Sequence, residues 1–400
     1  MRRLKDFLGL ERNVAVMIGA GTMQSLGVAL WHGYLPKVLE ELGASGAMIG
    51  AYSTIGAFFW IVFPYLGGIL SDRLGRGRAM ILSSILAFSG YIFYLLASRW
   101  WMFIPGQILT TASASFAFMG SLALTGDALP AHRRAAGIAT QNILNSVPAI
   151  LAPPIGGALI VWLGLLRGVR VALLATVVLT AVAIWLQRRY YRMPTPVRRA
   201  TPYDVRSVWR VMRPDLKHLL AADTLVRFGT GLSGVFVVLY VLNVLKGTAV
   251  QFGLLTSVQI LTTALLALPV SKLADRRGEA GRRPYVAMTF FFYAAFPATL
   301  VLIPSAAWLP LAFVVAGLHE VGEPARKALV VDLAQGDHSG SVIGAYHLLR
   351  GALIFPAAFF GGLLWERSPA APFLTGAGIT ALGLVWFLRR GPQSPDAARS

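Results

Sequence analysis

Cysteine is absent from all 400 residues, so neither disulfides nor thiolate metal sites can form, and the compartment stays unspecified. Charge is scarce: 13% of residues are charged, about half the share of an ordinary soluble chain. Acids are scarcer still, with 17 Asp and Glu against 36 Lys and Arg. No Gly-rich loop ending in Lys-Ser or Lys-Thr occurs, which argues against ATP as a driving force. No His/Glu cluster has metal-ligand spacing, no activated serine is visible and no cofactor is called for. The alternating polarity of a membrane β-barrel is also missing.

What fills the chain instead is hydrocarbon. Hydrophobic residues make up 56% and the mean hydropathy is +0.65. Apolar runs of about 20 residues recur along the length, which is what a bilayer core demands. Inside lipid every backbone amide must be satisfied within its own segment, so these runs are read as helices. The result is an all-α polytopic membrane protein. The first run, from about Val14 to Leu35, is too long for a signal peptide and is read as retained.

Twelve spans are expected, at about 13–36, 46–71, 79–98, 101–126, 134–163, 169–188, 218–245, 250–275, 284–304, 306–331, 340–366 and 371–389. Sorted by these spans, about 28 of the 36 Lys and Arg residues fall on one side, about six on the other and two inside. That asymmetry makes the basic side cytoplasmic, with both termini on it. The net charge of +19 therefore reports topology, and no nucleic-acid partner is expected. The chain divides into an N-terminal six-helix bundle (1–188), a central cytoplasmic loop (189–217) and a C-terminal six-helix bundle with a short tail (218–400). In the loop, Thr201-Pro202-Tyr203-Asp204 reads as a helix start. Val205, Val208, Trp209 and Met212 then share a face that could lie on the membrane surface, the alternative being a solvated basic linker.

The halves echo one another. Asp72 and Asp275 are 203 positions apart, as are Gly75 and Gly278, and Gly50 and Gly253. At 205 positions, Asp127 meets Asp332 and Gly156-Gly157 meets Gly361-Gly362. An ordered series at nearly constant offset indicates an internal duplication, the parallel repeat of one large transporter class. Between spans two and three the chain reads Gly67-Gly-Ile-Leu-Ser-Asp-Arg-Leu-Gly-Arg-Gly-Arg78, echoed at Ser271-Lys-Leu-Ala-Asp-Arg-Arg-Gly278. Glycines ease a tight turn and arginines fix orientation. The repeated aspartate asks for more, since a carboxylate there can sit at the N-terminus of a neighbouring helix.

The stretch Gly68, Leu70, Asp72, Arg73, Gly75 and Arg76 resembles the signature loop of the major facilitator superfamily. The resemblance covers nearly the whole chain: twelve spans, central loop and repeat. It implies two pseudo-symmetric bundles that rock about a midplane site. It also implies a cytoplasmic gate in which Asp72 faces the start of span eleven, with Asp275, Arg276 and Gly278 as the counterpart. Ala152-Pro153-Pro154-Ile155-Gly156-Gly157 resembles the end of the antiporter branch's Gly-Pro motif in degraded form; it reads equally as a packing kink, with Gly361 and Gly362 as its echo. The arginine that the drug:proton branch usually carries in span four is absent here.

Ionisable groups inside spans are costly and mark pathways or coupling sites by default. Span seven offers Asp223 and Arg227. Span ten holds His319, Glu320 and Glu323, with Pro324 interrupting it and Arg326 and Lys327 expected at the cytoplasmic surface. Span eleven adds His347 and Arg350. Either these form a neutralised structural network, or one acid, above all Glu320, exchanges a proton while the histidines relay. The N-terminal bundle offers only neutral candidates, Gln24, Gln107, Gln141, Asn142 and Asn145; Gln24 is expected to line the cavity by analogy with the family, and His319 is a candidate there too. The sequence thus reads as a secondary transporter, monomeric, in a prokaryotic inner membrane. It would move a small solute by alternating access, proton-driven and outward. An importer or facilitator, or a receptor or lipid-handling protein on the same scaffold, are the alternatives.

Overall fold

The computed structural model describes residues 12–128, 131–191, 212–275, 278–334 and 339–391, with some side chains inside these ranges, including those of Asp72, Arg76, Gln141, Asn145 and Asp275, outside the description. The possible surface helix after Thr201 lies outside the described residues. All described regular structure is helical. Span one is α1 (Arg12–Ala29), a 3-10 turn at His32–Tyr34 and α2 (Leu35–Glu41). Then come α3 (Gly46–Leu74), α4 (Arg76–Leu96), α5 (Phe103–Ala128), α6 (Ala131–Leu163) and α7 (Leu165–Tyr190). Span seven is α8 (Pro214–Ser233), a 3-10 turn, α9 (Val237–Leu239) and a π-helical stretch at Tyr240–Val244. The rest are α10 (Ala249–Asp275), α11 (Gly278–Leu302), α12 (Leu309–Leu318), α13 (Glu323–Leu333), α14 (Ser339–Ile354), α15 (Ala357–Arg367) and α16 (Ala371–Arg390).

Ten helices are, within the described residues, long and apolar enough to cross a membrane. Two of the twelve expected spans fall outside that count. Span four is α5, whose C-terminal side chains are not described. Span ten is broken at His319–Gly322 into α12 and α13, neither long enough alone. Large apolar side chains stand on the outside of these helices, Trp162 at 87% and Leu302 at 76% exposure. Such exposure suits lipid as the solvent. Gly75, with φ 84°, is the only link between α3 and α4, a left-handed position that glycine takes without penalty.

The chain forms two compact units. The first holds Met1–Ala44, Ile55–Thr201 and Thr248–Leu254; the second holds Ser45–Thr54, Pro202–Gly247 and Leu255–Ser400. Thus α3 starts in the second unit and continues in the first, while α10 does the reverse. In the first unit, α1 packs on α7 so closely that Gly27 has Thr176 directly against it, and Trp31 Nε1 donates to Thr176 Oγ1 at 3.1 Å. In the second, α8 packs on α16 through Gly229 against Gly376 and Gly383 against Ala222. Helices in lipid gain little from burying apolar surface, so small residues that let backbones approach supply the packing.

Candidate functional site

The second unit has a polar centre where α8, α11, the broken span ten and α14 meet. Burying an ion there is expensive, so every charge needs partners. Asp223 on α8 is fully buried. Its Oδ2 accepts hydrogen bonds from Arg326 Nη1, Arg350 Nη1 and the Tyr346 hydroxyl, each at 2.8 Å. Arg326 also embraces Glu323, with Nε donating at 3.1 Å to both oxygens and Nη2 at 2.8 Å to Oε2. Arg227 Nη2 donates to Glu323 Oε1, and its Nη1 donates to the Tyr293 hydroxyl at 2.6 Å. The Tyr293 hydroxyl in turn donates to Glu320 Oε1 at 2.6 Å.

The break in span ten builds this site. Pro324 has no amide proton and enters α13 as an early-turn residue, so the helix restarts at Glu323. Gly322 lets the restart press against the Tyr285 carbonyl and Thr289 on α11; a side chain there would collide with both. His319 and Glu320 sit at the break. The His319 ring stacks on Tyr293, centroids 4.3 Å apart at 12°. The Glu320 side chain keeps 42% of its surface exposed, while those of Asp223 and Glu323 keep 0% and 8%. Three guanidiniums (Arg227, Arg326, Arg350) face three carboxyls (Asp223, Glu323, Glu320). Three cations thus stand against three acids, and among the carboxyls Glu320 alone is substantially exposed.

Several expectations change at this point. Arg326, expected at the cytoplasmic surface, is 2% exposed and central to the cluster; its local sequence looks superficial because Lys327 adjoins it. The i,i+4 pair of Asp223 with Arg227 is loose at 3.7 Å, and Arg326 and Arg350 hold Asp223 instead. His347 is exposed, edge-on to Tyr346, and stands outside the network. His319 belongs to the charged cluster. Tyr293 and Tyr346, unremarked in sequence, are its neutral members; tyrosines in apolar spans look like any aromatic, and only their facing acids give them away.

In the first unit, Gln24 Nε2 donates to Ser84 Oγ at 3.0 Å, tying α1 to α4. Gln107 Oε1 accepts from the Tyr94 hydroxyl at 2.9 Å, and its amide packs on Gly56. Gln141, Asn142 and Asn145 lie outside the described side chains. So do Gly68, Asp72, Arg76, Asp275, Arg276 and Gly278 of the repeated loops; Arg73 is exposed. Along α6, the Pro153 carbonyl lies 2.8 Å from the Tyr34 hydroxyl, and Pro154 continues the helix. Gly156 abuts the Leu30 carbonyl and Gly157 the Ala249 carbonyl; in the second unit, Gly361 abuts the Leu232 carbonyl and Gly362 the Gly46 carbonyl.

Comparison with known proteins bears on this arrangement. A family model described as Major Facilitator Superfamily matches residues 15–222 and 219–400. The chain is 25% identical over 132 residues to "Quinolone resistance protein NorA" of Staphylococcus aureus (strain MRSA252), covering 33% of this chain and 34% of that relative. The chain thus spans about a third of that relative's length. It is 23% identical over 395 residues to "Magnetosome protein MamH" of Paramagnetospirillum magneticum (strain ATCC 700264 / AMB-1), covering 92% and 90%. Among solved structures it resembles a POT family transporter in complex with 5-aminolevulinic acid, with TM-score 0.76, 12% identity and coverage of 95% and 96%. It also resembles a D-xylose-proton symporter, with TM-score 0.71, 14% identity and coverage of 96% and 98%. At these identities the structures speak for the fold.

Proposed function

This chain belongs to the Major Facilitator Superfamily, and from that premise we propose that it is a proton-coupled secondary transporter of a small organic solute, with Glu320 as the carboxyl that takes up and releases the proton. That it is an integral, multi-pass membrane transporter and not an enzyme follows from the family. The coupling rests on one observation: Glu320 is the exposed carboxyl of a charge-balanced cluster whose other two carboxyls are buried, placed at a helix break and joined to the rest through Tyr293. Protonating it leaves the cluster with an excess positive charge in a medium that tolerates none cheaply. Alternating access would give Glu320 two environments with different proton affinity, the physical requirement for coupling.

We take the direction as outward. The degraded Pro153-Pro154-Ile155-Gly156-Gly157 motif and the partial match to a quinolone resistance protein support it. The missing span-four arginine leaves the substrate class open among small organic solutes. The basic asymmetry supports a bacterial inner membrane with both termini in the cytoplasm. The gate role of Asp72 and Asp275 rests on the family resemblance, and a monomer is sufficient for the mechanism.

The test begins with an untargeted metabolite comparison of cells with and without the protein, which supplies the solute. Flux of that solute into proteoliposomes under an imposed pH gradient then reads the coupling. Wild-type flux follows the gradient, and its sign separates exporter from importer. Glu320→Gln is expected to lose the pH dependence while keeping exchange of solute for solute. Unchanged pH dependence in that variant would acquit Glu320.

A further inference from the structure

Two unsatisfied atoms face each other inside the second unit. Asp223 Oδ1 and Arg227 Nε are both buried, and neither makes a hydrogen bond. They are 3.7 Å apart, beyond the usual limit of about 3.2 Å for such a bond. A matched acceptor and donor held just out of reach describe a bond that another placement of Arg227 would make.

Three contacts hold Arg227 away. Its Nη1 donates to Tyr293, its Nη2 donates to Glu323, and its guanidinium carbon lies 4.6 Å from the centre of the Tyr293 ring. A guanidinium can only donate, and a phenol has one proton and two lone pairs. The phenol therefore accepts from Arg227 and spends its single proton on Glu320, 2.6 Å away. A chain of donors runs from Arg227 through Tyr293 to Glu320. It is strongest when Glu320 is ionised, because bonds to an ionised acceptor are about twice as strong as neutral ones.

We infer that Tyr293 is a positioning residue that makes the placement of Arg227 depend on the proton at Glu320. This rests on the reading of Glu320 as the proton-exchanging carboxyl. With Glu320 ionised, Arg227 is drawn towards Tyr293 and Glu323. With Glu320 protonated by hydronium on its exposed side, the phenol is released and Arg227 Nε closes on Asp223 Oδ1. One O–H bond of hydronium breaks as one forms on Glu320, leaving water; the reverse transfer to water ionises the carboxyl, and no other covalent bond changes. Asp223 already ties α8 to α13 through Arg326 and to α14 through Arg350 and Tyr346, so a fourth donor on it carries the change to three helices. Arg227 is then a discrete two-position element, the kind of device a proton can bias.

The titratable groups in direct contact with Glu320 are Tyr293 from α11 and His319 from its own broken span; through Tyr293 follow Arg227 from α8 and, bonded to Arg227, Glu323 from α13. His319 is the rival proton site, its Nε2 3.6 Å from Glu320 Oε1.

The experiment uses the full chain with 15N-arginine in lipid nanodiscs. The Arg227 Nε–H resonance is assigned by its disappearance in Arg227→Lys. Its hydrogen-exchange protection, relative to free arginine at the same pH, is followed through acidification. In the wild type protection is expected to rise about tenfold or more, as a hydrogen bond to a charged group forms. Glu320→Gln and Tyr293→Phe are each expected to be protected at every pH with no step, and His319→Gln to keep the wild-type step. Wild-type protection that stays flat or falls on acidification overturns the proposal with no variant needed. A wild-type step retained in Tyr293→Phe but lost in Glu320→Gln overturns the role of Tyr293 and leaves the proton at Glu320. A step that survives Glu320→Gln, or dies in His319→Gln, overturns the assignment of the proton itself.

Discussion

At the scale of single residues, Asp223 is where the charged cluster is most exposed to disruption. One of its oxygens receives two guanidinium bonds and a phenol bond. Asp223→Asn keeps the volume and removes the charge, leaving Arg326 and Arg350 buried against a neutral amide. Breaking a buried pair in this way costs about 3–5 kcal/mol. Tyr346→Phe removes one neutral donor of the three and is expected to cost about 1 kcal/mol. Thermal unfolding in detergent should rank the two in that order. Equal stability of Asp223→Asn and wild type would mean that the cluster is not what fastens α8, α13 and α14 together.

At the scale of elements, the two units use glycine in matching places. Gly156 meets the carbonyl of Leu30, and Gly361 meets that of Leu232. Gly253 meets the Pro153 carbonyl, and Gly50 meets that of Ala358. A backbone carbonyl cannot rotate aside as a side chain can. Gly156→Ala is therefore expected to lower the melting temperature clearly. Gly19→Ala, with nothing within 4 Å of the new methyl, is the control; it should be neutral or gain about 0.5–1 kcal/mol of helix stability. A harmless Gly156→Ala would show that α6 and the end of α1 part more easily than their contact implies. The units differ in their breaks. Span four is unbroken as α5, whereas span ten stops at His319–Gly322; span five runs unbroken as α6, whereas span eleven breaks before α15. His319, Glu320 and Glu323 lie at the break of span ten, where irregular backbone lines polar interior and is tolerable inside a membrane.

At the scale of the whole molecule, the basic residues make a plain topological prediction. A fluorescent protein fused after Ser400 should be fluorescent in bacterial cells, and an alkaline phosphatase fused there should be inactive. Active phosphatase would place the C-terminus outside and invert the sidedness assigned to every loop.

The amino-acid sequence by itself determined the solvent, the element type and the repeat. Apolar runs of bilayer length can satisfy their backbones only as helices, and the duplicated Asp and Gly positions stand out at one offset. It also marked Asp223, Arg227, Glu320, Glu323 and Arg350, because a charge in an apolar span is conspicuous. Only the tertiary structure decided which charges pair. Arg326 sits beside Lys327 in sequence but turns inward, because Asp223, 103 residues away, offers a buried carboxylate. Tyr293 and Tyr346 gain their roles only from what faces them, since a phenol in a membrane helix is an ordinary aromatic until an acid lies within hydrogen-bond reach. Hydropathy is a property of each segment alone, whereas the compensation of a buried charge belongs to the neighbours that folding brings to it.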